Sequence, residues 1–243
     1  MFKILKVPFD SGNPTGSTGT AKAPDEIAKL FPKVSAINVA INQSNIDESF
    51  ESIEKTATKE FKNNNKVCAI GGDHSITYAM VKAASNVHKD LSLIYFDAHL
   101  DCEDDFLPPS HEDVIKAIVK DKLVKPENIL IVGARKWWPK EEEFVKKQGI
   151  TVVTPSEMKN ADLSGFMTKN NYISVDIDVF DPKVAPATNY TENDGLTLNE
   201  FQEFTQRMDF KRIIGFDIVE VSPQLEKTKK TVTLASDVIK FLL

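Results

Sequence analysis

The feature that most constrains the fold of this sequence is a regular alternation of short apolar runs with longer amphipathic segments. The runs are rich in valine and isoleucine, which is typical of strands buried on both faces. We predict strands at Ile4–Val7, Val67–Ile70, Leu91–Phe96, Ile129–Val132, Ile150–Val153, Tyr172–Val175 and Arg212–Phe216. Helical spacing of apolar residues predicts helices at Ile46–Phe61, Ile76–Asn86, Glu112–Val119, Lys140–Gln148, Leu198–Met208 and Ser236–Leu242.

This alternation predicts an α/β fold built on a parallel sheet with helices on both of its faces. The chain has 243 residues, an ordinary length for one such domain, and no repeat, linker or low-complexity tract divides it. We therefore predict a single domain over residues 1–243. In folds of this kind ligands bind beyond the carboxyl ends of the strands, so functional residues are expected there.

Composition and charge argue against several classes of function. The formal net charge is −6 at pH 7, which disfavours a general role in nucleic-acid binding. No apolar run approaches the length of a membrane span, and the N-terminus lacks the pattern of a signal peptide. The two cysteines make neither a disulfide framework nor a zinc-finger spacing. We predict a cytoplasmic protein with no membrane and no nucleic-acid partner.

The predicted strand Leu91–Phe96 leads directly into three side chains of metal-ligand type, Asp97, His99 and Asp101. If the chain stays extended there, these alternate residues share one face and lie about 6.6–6.8 Å apart along the backbone. Carboxylates and imidazoles in that arrangement can converge on one or two metal ions. This pattern is stronger evidence of a metal site than an isolated Asp pair or a lone histidine.

Two further strand ends carry the same residue types. Tyr172–Val175 leads into Asp176 and Asp178, and Val67–Ile70 is followed by a Gly-Gly turn and His74. An Asp-x-Asp pair alone is more often a turn or cap feature, but parallel strands place all three ends at one edge of the sheet. Acids packed together there need cations among them, so we predict a two-metal site. Its ligands suit Mn²⁺, and less well Fe²⁺, Co²⁺ or Zn²⁺.

Two other features allow more than one interpretation. The segment Ser11–Thr20 is rich in Gly, Ser and Thr and could cradle a phosphate. It lacks the Gly-Lys-Ser/Thr ending of a P-loop, so a substrate-facing or merely flexible surface loop is the preferred interpretation. Trp137 and Trp138 could belong to the core, a subunit contact or a substrate wall, and burial is the commonest outcome for such residues.

Three motifs follow one another along the chain: Gly71–Ser75, Asp97–Asp101 and Ser174–Pro182. Together they resemble the motifs of the ureohydrolases, the arginase and agmatinase family. Asp217–Pro223 is similar to a further motif of that family, with Ser222 in place of the usual asparagine. The resemblance covers most of the chain. It implies a three-layer α/β/α catalytic domain with a mainly parallel sheet, two Mn²⁺ ions per chain and a homo-oligomer, since relatives are commonly trimers or hexamers.

The resemblance also assigns roles within the predicted metal site. One ion is expected to bind His74, Asp97, Asp101 and Asp176, and the other Asp97, His99, Asp176 and Asp178. Asp97 and Asp176 would bridge the two ions. In the family, a bridging hydroxide attacks a guanidinium carbon, and the tetrahedral intermediate collapses to urea and an amine.

The resemblance implies three catalytic residues: His111, Glu220 and Asp101, which is also a predicted metal ligand. Glu220 matches the glutamate that pairs with the substrate guanidinium, which a carboxylate can bind through two hydrogen bonds. His111 matches a loop histidine that the family often uses to protonate the leaving amine. Glu112 and Asp113 replace the small residues that usually follow that histidine. The alternative for His111 is a surface histidine at a helix N-terminus.

The sequence around His111 bears on the identity of the substrate. It is acidic, with Glu103, Asp104, Asp105, Glu112 and Asp113. Such a loop would repel the α-carboxylate of arginine and attract a primary amine. We therefore predict a small cationic guanidino substrate, agmatine in preference to arginine, with putrescine as the product. Lys116 could reverse the local charge if it points inward, and the stretch Ala185–Gly195 departs from the family pattern.

Two other functions fit parts of the sequence. A two-metal phosphoesterase shares an acid-rich cluster, but it should display cationic groups for phosphate, whereas the surroundings of these motifs are acidic. A catalytically silent metal-binding protein on the same fold is the second alternative. The altered residues after His111 leave it open, and the complete ligand set together with Glu220 argues against it.

Overall fold

A computed structural model of the protein describes residues 2–16, 18–166 and 169–243. The strands of its sheet are β1 (Phe2–Lys6), β2 (Ala36–Asn38), β3 (Lys66–Ile70), β4 (Leu91–Phe96), β5 (Ile129–Val132), β6 (Thr151–Val153), β7 (Asn170–Asp176) and β8 (Ile213–Val219). The α-helices of the described residues are α1 (Ala23–Ala28), α2 (Ile46–Lys62), α3 (Ile76–Ser85), α4 (Val114–Lys120), α5 (Pro139–Gln148), α6 (Leu198–Thr205) and α7 (Lys230–Leu242).

The strands form one sheet in the order β2-β1-β3-β8-β7-β4-β5-β6. Each pair of neighbouring strands in it is parallel. The predicted α/β fold with a mainly parallel sheet is therefore confirmed. This order places β3, β8, β7 and β4 side by side in the middle of the sheet, so the segments that follow these strands share one edge.

Helices cover both faces of the sheet because neighbouring side chains of each strand point to opposite faces. Ile94 of β4 belongs to one core with Ile27 of α1 and Phe201 of α6. The preceding residue, Leu93, belongs to a second core with Ile53 of α2. The two cores produce the predicted three layers. In the part of the chain described by the structure, no helix has both the length and the apolar composition of a membrane span.

Several element boundaries differ from the predicted ones for identifiable reasons. Strand β2 was not predicted, because this three-residue edge strand is only partly buried and has no apolar run. Strand β8 continues past the predicted end at Phe216, since the buried Asp217 interrupts the apolar pattern without ending the strand. Helix α7 begins at Lys230 rather than Ser236. Its first turns contain Thr231 and Val232, and β-branched residues weaken a helical signal in sequence.

The turn after β3 depends on a close approach between two backbone segments. A Cβ atom on Gly72 would lie 1.8 Å from the carbonyl oxygen of Phe9. We expect Gly72→Ala to displace this turn and to lower the free energy of unfolding by roughly 1–3 kcal/mol, measured by denaturant unfolding. Gly165→Ala is the control, because no atom that the structure describes contacts the added Cβ within 4 Å. An equal loss of stability in the two variants would contradict this account.

Candidate metal centre

The predicted ligand residues meet at the carboxyl edge of the sheet, after its central strands. His74 lies between β3 and α3, Asp97 directly follows β4, Asp176 is the last residue of β7, and Glu220 follows β8. All of these side chains are buried. The structure brings together the six predicted ligand residues His74, Asp97, His99, Asp101, Asp176 and Asp178.

Turns, not an extended chain, bring the paired ligand residues together. Strand β4 ends at Phe96, and Asp101 has a φ of 47°, so the chain bends back after the strand. Asp178 lies in a 3₁₀ turn, and its backbone N–H donates a 2.8 Å hydrogen bond to Asp176 Oδ1. The chain therefore does not stay extended through these segments, which was the condition for their alternate residues to share one face, although the residues do converge.

The first group of ligand atoms surrounds one ring nitrogen of His74. His74 Nδ1 lies 3.0 Å from Asp97 Oδ2, 3.1 Å from Asp176 Oδ2 and 3.3 Å from Asp101 Oδ2. A single N–H cannot donate well to three carboxylates at once. The tyrosine Tyr95 stacks on the imidazole at 4.5 Å between ring centroids and donates a 2.5 Å hydrogen bond to Asp101 Oδ2.

The second group contains His99 and shares Asp97 with the first. His99 Nδ1 lies 3.2 Å from Asp97 Oδ1 and 3.1 Å from Asp178 Oδ2. The two oxygens of Asp97 thus face different histidines. The side chain of His99 is 27% exposed and lines a cavity that opens beside this group.

A buried hydrogen-bond network behind His74 fixes the orientation of its ring. His74 Nε2 lies 2.8 Å from Ser174 Oγ, and this hydroxyl donates a 2.7 Å bond to Asp217 Oδ1. The hydroxyl of Tyr172 donates to the other oxygen of Asp217 at 2.8 Å. Partners of this kind hold a metal-binding histidine in one tautomer, here with Nδ1 facing the carboxylates. Tyr172 and Tyr95 were not predicted, because each lies within an apolar strand.

The electrostatics show an excess of buried negative charge. Burial, with the charges of Asp101 and Asp178, raises the pKa of Asp97 to about 6. Burial and the neighbouring Asp178 and Asp97 also raise the pKa of Asp176 well above its ordinary value. Burial alone would lower the pKa of His99, but Asp178 and Asp97 raise it to about 12. The cluster therefore favours positive charge placed among its carboxylates.

The residues present fit divalent metal ions. Asp97 Oδ2 is buried and, although His74 Nδ1 lies 3.0 Å away, it accepts no hydrogen bond from the described residues. Neighbouring ligand atoms lie 3.0–3.3 Å apart. An ion with ligand bonds of about 2.0–2.2 Å separates adjacent ligands by about this distance. Within the part of the chain that the structure describes, two groups could each hold an ion: His74 with Asp97 and Asp101, and Asp97 with His99 and Asp178.

A cavity of about 330 Å³ opens above the cluster and contains Glu220 and His111. Glu220 has a φ of 61°, and its Oε1 accepts hydrogen bonds from His74 N at 2.8 Å and His111 Nδ1 at 3.2 Å. Its Oε2 is buried and has no partner among the described residues. His111 is buried as well, so the alternative of a surface histidine is wrong.

Only part of the acidic loop around His111 faces this cavity. Glu103 and Glu112 line it, and the lining also includes Glu192 and Lys136. The other acids of the loop do not line the cavity. Asp113 accepts hydrogen bonds from the backbone N–H groups of Phe106 and Ser110. Asp105 pairs with Lys116 and Lys120, and Asp104 pairs with Lys140. Lys116 therefore does not reverse the charge of the cavity, since it bonds to Asp105 and to the Glu103 carbonyl.

Aromatic side chains form the rest of the wall. The cavity is lined by Trp137, Trp138 and Tyr190. Of the interpretations offered for the two tryptophans, the structure therefore favours a wall of the substrate cavity. Trp138 is 61% exposed and lies at the mouth. Tyr190 and Glu192 were not predicted as site residues, because the stretch that contains them matches no motif.

The first residues of the segment Ser11–Thr20 support this wall from behind, and Ser17 lies outside the described residues. The carbonyl of Gly12 accepts a 3.1 Å hydrogen bond from His111 N, and Asn13 Nδ2 donates a 3.1 Å bond to the Tyr190 hydroxyl. Gly12 N also donates to the buried Asp73 at 2.7 Å. Gly12 and Asn13 are buried, so the first part of this segment belongs to the site's framework and is not a loose surface loop.

Comparisons with known proteins find both sequence relatives and a structural neighbour of this chain. An agmatinase from Halalkalibacterium halodurans is 30% identical over 208 residues, covering 82% of this chain and 70% of that protein. A guanidinobutyrase from Pseudomonas aeruginosa is 29% identical over 218 residues, covering 85% and 68%. The crystal structure of an arginase from Bacillus subtilis matches with a TM-score of 0.87 at 23% identity, covering 100% of this chain and 98% of that one. A model of the arginase family matches residues 1–243, and the chain therefore belongs to that family.

Proposed function

We propose that the protein hydrolyses a small cationic guanidino compound to urea and an amine, with agmatine as substrate and two Mn²⁺ ions per chain. One observation carries this proposal. Glu220 lines the same cavity as the carboxylate and histidine cluster, and its buried Oε2 has no hydrogen-bond partner among the described residues. A carboxylate oxygen is the natural acceptor for a guanidinium N–H. The agmatinase and guanidinobutyrase among the relatives support this class of substrate by their names.

We assign the metal ligands as two overlapping sets. One contains His74, Asp97, Asp101 and Asp176, and the other contains Asp97, His99, Asp176 and Asp178. The bridging role of Asp97 is supported by its two oxygens, which face different histidines. The bridging role of Asp176 rests on the family resemblance. When bound, such ions supply a nucleophilic water at neutral pH.

Glu220 is proposed to orient the substrate. Its Oε1 already accepts two hydrogen bonds from the protein, so Oε2 is the oxygen that remains for a guanidinium. Since the backbone N–H of His74 fixes this carboxylate, the guanidinium carbon would be held at the mouth of the cluster. Asp101 lines the same cavity, and its Oδ2 is engaged by Tyr95. We propose that its second oxygen takes part in proton movement.

His111 is proposed to protonate the leaving amine. Burial alone would lower its pKa, but the hydrogen bond and charge of Glu220 raise the pKa to about 9. At neutral pH the ring therefore carries a proton on both nitrogens. Nδ1 donates to Glu220, whereas Nε2 has no hydrogen-bond partner among the described residues. The Nε2 proton is thus the one available to a leaving group.

The outer part of the cavity favours a cationic tail on the substrate. Glu112 and Glu192 contribute negative charge, and the aromatic residues Trp138 and Tyr190 offer faces that attract cations. Agmatine carries a primary amine that fits these groups, whereas the α-carboxylate of arginine would meet repulsion. Guanidinobutyrate is a second candidate because Lys136 also lines the cavity and could receive its carboxylate.

Two of the alternative functions give different results in the same assays. The acidic lining of the cavity disfavours a phosphate ester, and phosphatase turnover without urea release would support a phosphoesterase. Well-occupied metals without hydrolysis of any guanidine would support a catalytically silent protein. A cytoplasmic location and a homo-oligomeric assembly stay predictions.

Removal of either proposed bridging ligand tests the metal centre. We expect Asp97→Ala and Asp176→Ala each to lose bound Mn²⁺ and urea release, because each removes a carboxylate shared by both ions. Calorimetric titration of metal-free protein with Mn²⁺ measures the stoichiometry. Asp104→Ala is the control, since this carboxylate is exposed and pairs with Lys140 outside the cavity. Two ions per chain in either bridging variant would show that the ligand assignment is wrong.

The pH dependence tests the role of His111. Because its raised pKa keeps the ring protonated until the pH rises through about 9, kcat/KM should fall above that pH. His111→Asn should lower kcat by about 10²- to 10⁴-fold and abolish this alkaline decline. His88→Asn is the control, since His88 packs on Phe61 away from the cavity. An unchanged rate in His111→Asn would remove its proposed role as proton donor.

A urea-release screen with Mn²⁺ tests the substrate. We expect agmatine to be cleaved in preference to arginine and guanidinobutyrate. Glu112→Gln should raise KM for agmatine roughly fivefold, because it removes a partly exposed ion pair between Glu112 and the substrate amine, and such a pair is worth about 1 kcal/mol. Asp104→Asn, which removes an acid that does not line the cavity, should leave KM unchanged. Equal activity on agmatine and arginine, or preference for arginine, would contradict the agmatine assignment.

A further inference from the structure

Arg135 joins the metal centre to the outer wall of the cavity through the backbone. Its Nη2 donates 2.8 Å hydrogen bonds to the carbonyl oxygens of both Asp178 and Glu192. Nε donates a 2.8 Å bond to the carbonyl of Asn193. One side chain therefore holds a proposed metal ligand and the segment that contains an acid of the wall.

The remaining donors of Arg135 anchor the guanidinium itself. Nη1 donates to the carbonyl oxygens of Gly133 at 3.1 Å and Val179 at 3.3 Å. No carboxylate of the described residues lies within ion-pair distance of this guanidinium, so its donors are used on backbone carbonyls. The five N–H groups of an arginine form a rigid planar fork, and this geometry suits several fixed acceptors better than a lysine does.

The chain leaves room for this arrangement at one position. A Cβ atom on Gly195 would lie 2.6 Å from Arg135 Nη2 and 2.6 Å from the backbone N of Asp181. The segment that returns from Glu192 therefore passes against the guanidinium only because residue 195 has no side chain. The contact is part of the fold and not an accident of one flexible side chain.

We infer that Arg135 is a positioning residue that sets where Glu192 lies relative to the metal centre, and so determines how well the site recognises a cationic substrate tail. This inference rests on the proposed function. Among the described residues, Arg135 forms no hydrogen bond or ion pair with the carboxylate of Glu192 or of Asp178. It acts through their carbonyl groups, by fixing the inner and outer ends of the cavity to one another.

The test compares two substrates that share a guanidinium and differ in the tail. Agmatine ends in a primary amine, and butylguanidine has a neutral tail of the same carbon number. The ratio of their kcat/KM values measures recognition of the cationic end. Arg135→Gln and Glu192→Gln should each reduce this ratio about fivefold, and the double variant should reduce it no further, because coupled residues are not additive.

A second readout does not depend on activity. Since Arg135 also holds the carbonyl of Asp178, Arg135→Gln should weaken Mn²⁺ binding to metal-free protein by about 10-fold or more, as outer partners of metal ligands commonly do. Arg135→Lys should give an intermediate ratio and an intermediate Mn²⁺ affinity. If Arg135→Gln shows no cooperative unfolding and is therefore not properly folded, Arg135→Lys takes its place in both measurements. The control is Arg212→Gln, which removes a guanidinium that does not line the cavity.

The possible results separate the two proposals. Absence of urea release from both guanidines by the wild-type protein would overturn the proposed function. If the wild-type protein releases no urea, an unchanged Mn²⁺ affinity in Arg135→Gln would overturn the inference as well. A weakened Mn²⁺ affinity would support the part of the inference in which Arg135 positions Asp178. If the wild-type protein is active, an unchanged ratio in Arg135→Gln, or additive losses in the double variant, would overturn the role of Arg135 in tail recognition.

Discussion

The repulsion among buried carboxylates at the end of the central strands is the constraint on which the rest of this site depends. Asp97, Asp101, Asp176 and Asp178 lie close enough to share the ring nitrogens of two histidines. Such a cluster is costly to bury unless positive charge lies within it. The fold lowers that cost with hydrogen bonds to individual oxygens, such as the one from Tyr95 to Asp101, and leaves the remaining charge for cations.

The sheet makes this concentration of charge possible because its strand order brings acidic and histidine side chains from distant parts of the chain to one edge. Strands β3, β8, β7 and β4 are neighbours, yet β4 and β7 are separated in sequence by two other strands. The ordinary packing of apolar side chains on both faces fixes these strands. The packing of the core therefore fixes the positions of the ligand residues. Hydrogen bonds from His74 to Ser174 and from Ser174 to Asp217 then fix the orientation of the imidazole ring.

The sequence could predict the cluster because its information is local: an apolar run followed by acids and histidine marks a strand end, and parallel strands bring such ends together. It could not predict how the chain turns there, since Asp101 has a left-handed backbone conformation and its carboxylate contacts Tyr95 and His74, which lie in other segments. It also could not identify Glu192, whose place in the wall depends on Arg135, a residue far from it in sequence.

The acidic loop shows why charge counted along a sequence differs from charge in a cavity. Asp105 pairs with lysines, and Asp113 accepts hydrogen bonds from backbone N–H groups. Glu112 lines the cavity instead, and Glu192 lines it from another segment of the chain. Relatives with different names, an agmatinase and a guanidinobutyrase, match this chain almost equally well. In the proposed function, discrimination between substrate tails depends on the few wall groups that the loops present, and the segment of Glu192 is held by backbone contacts that no motif records.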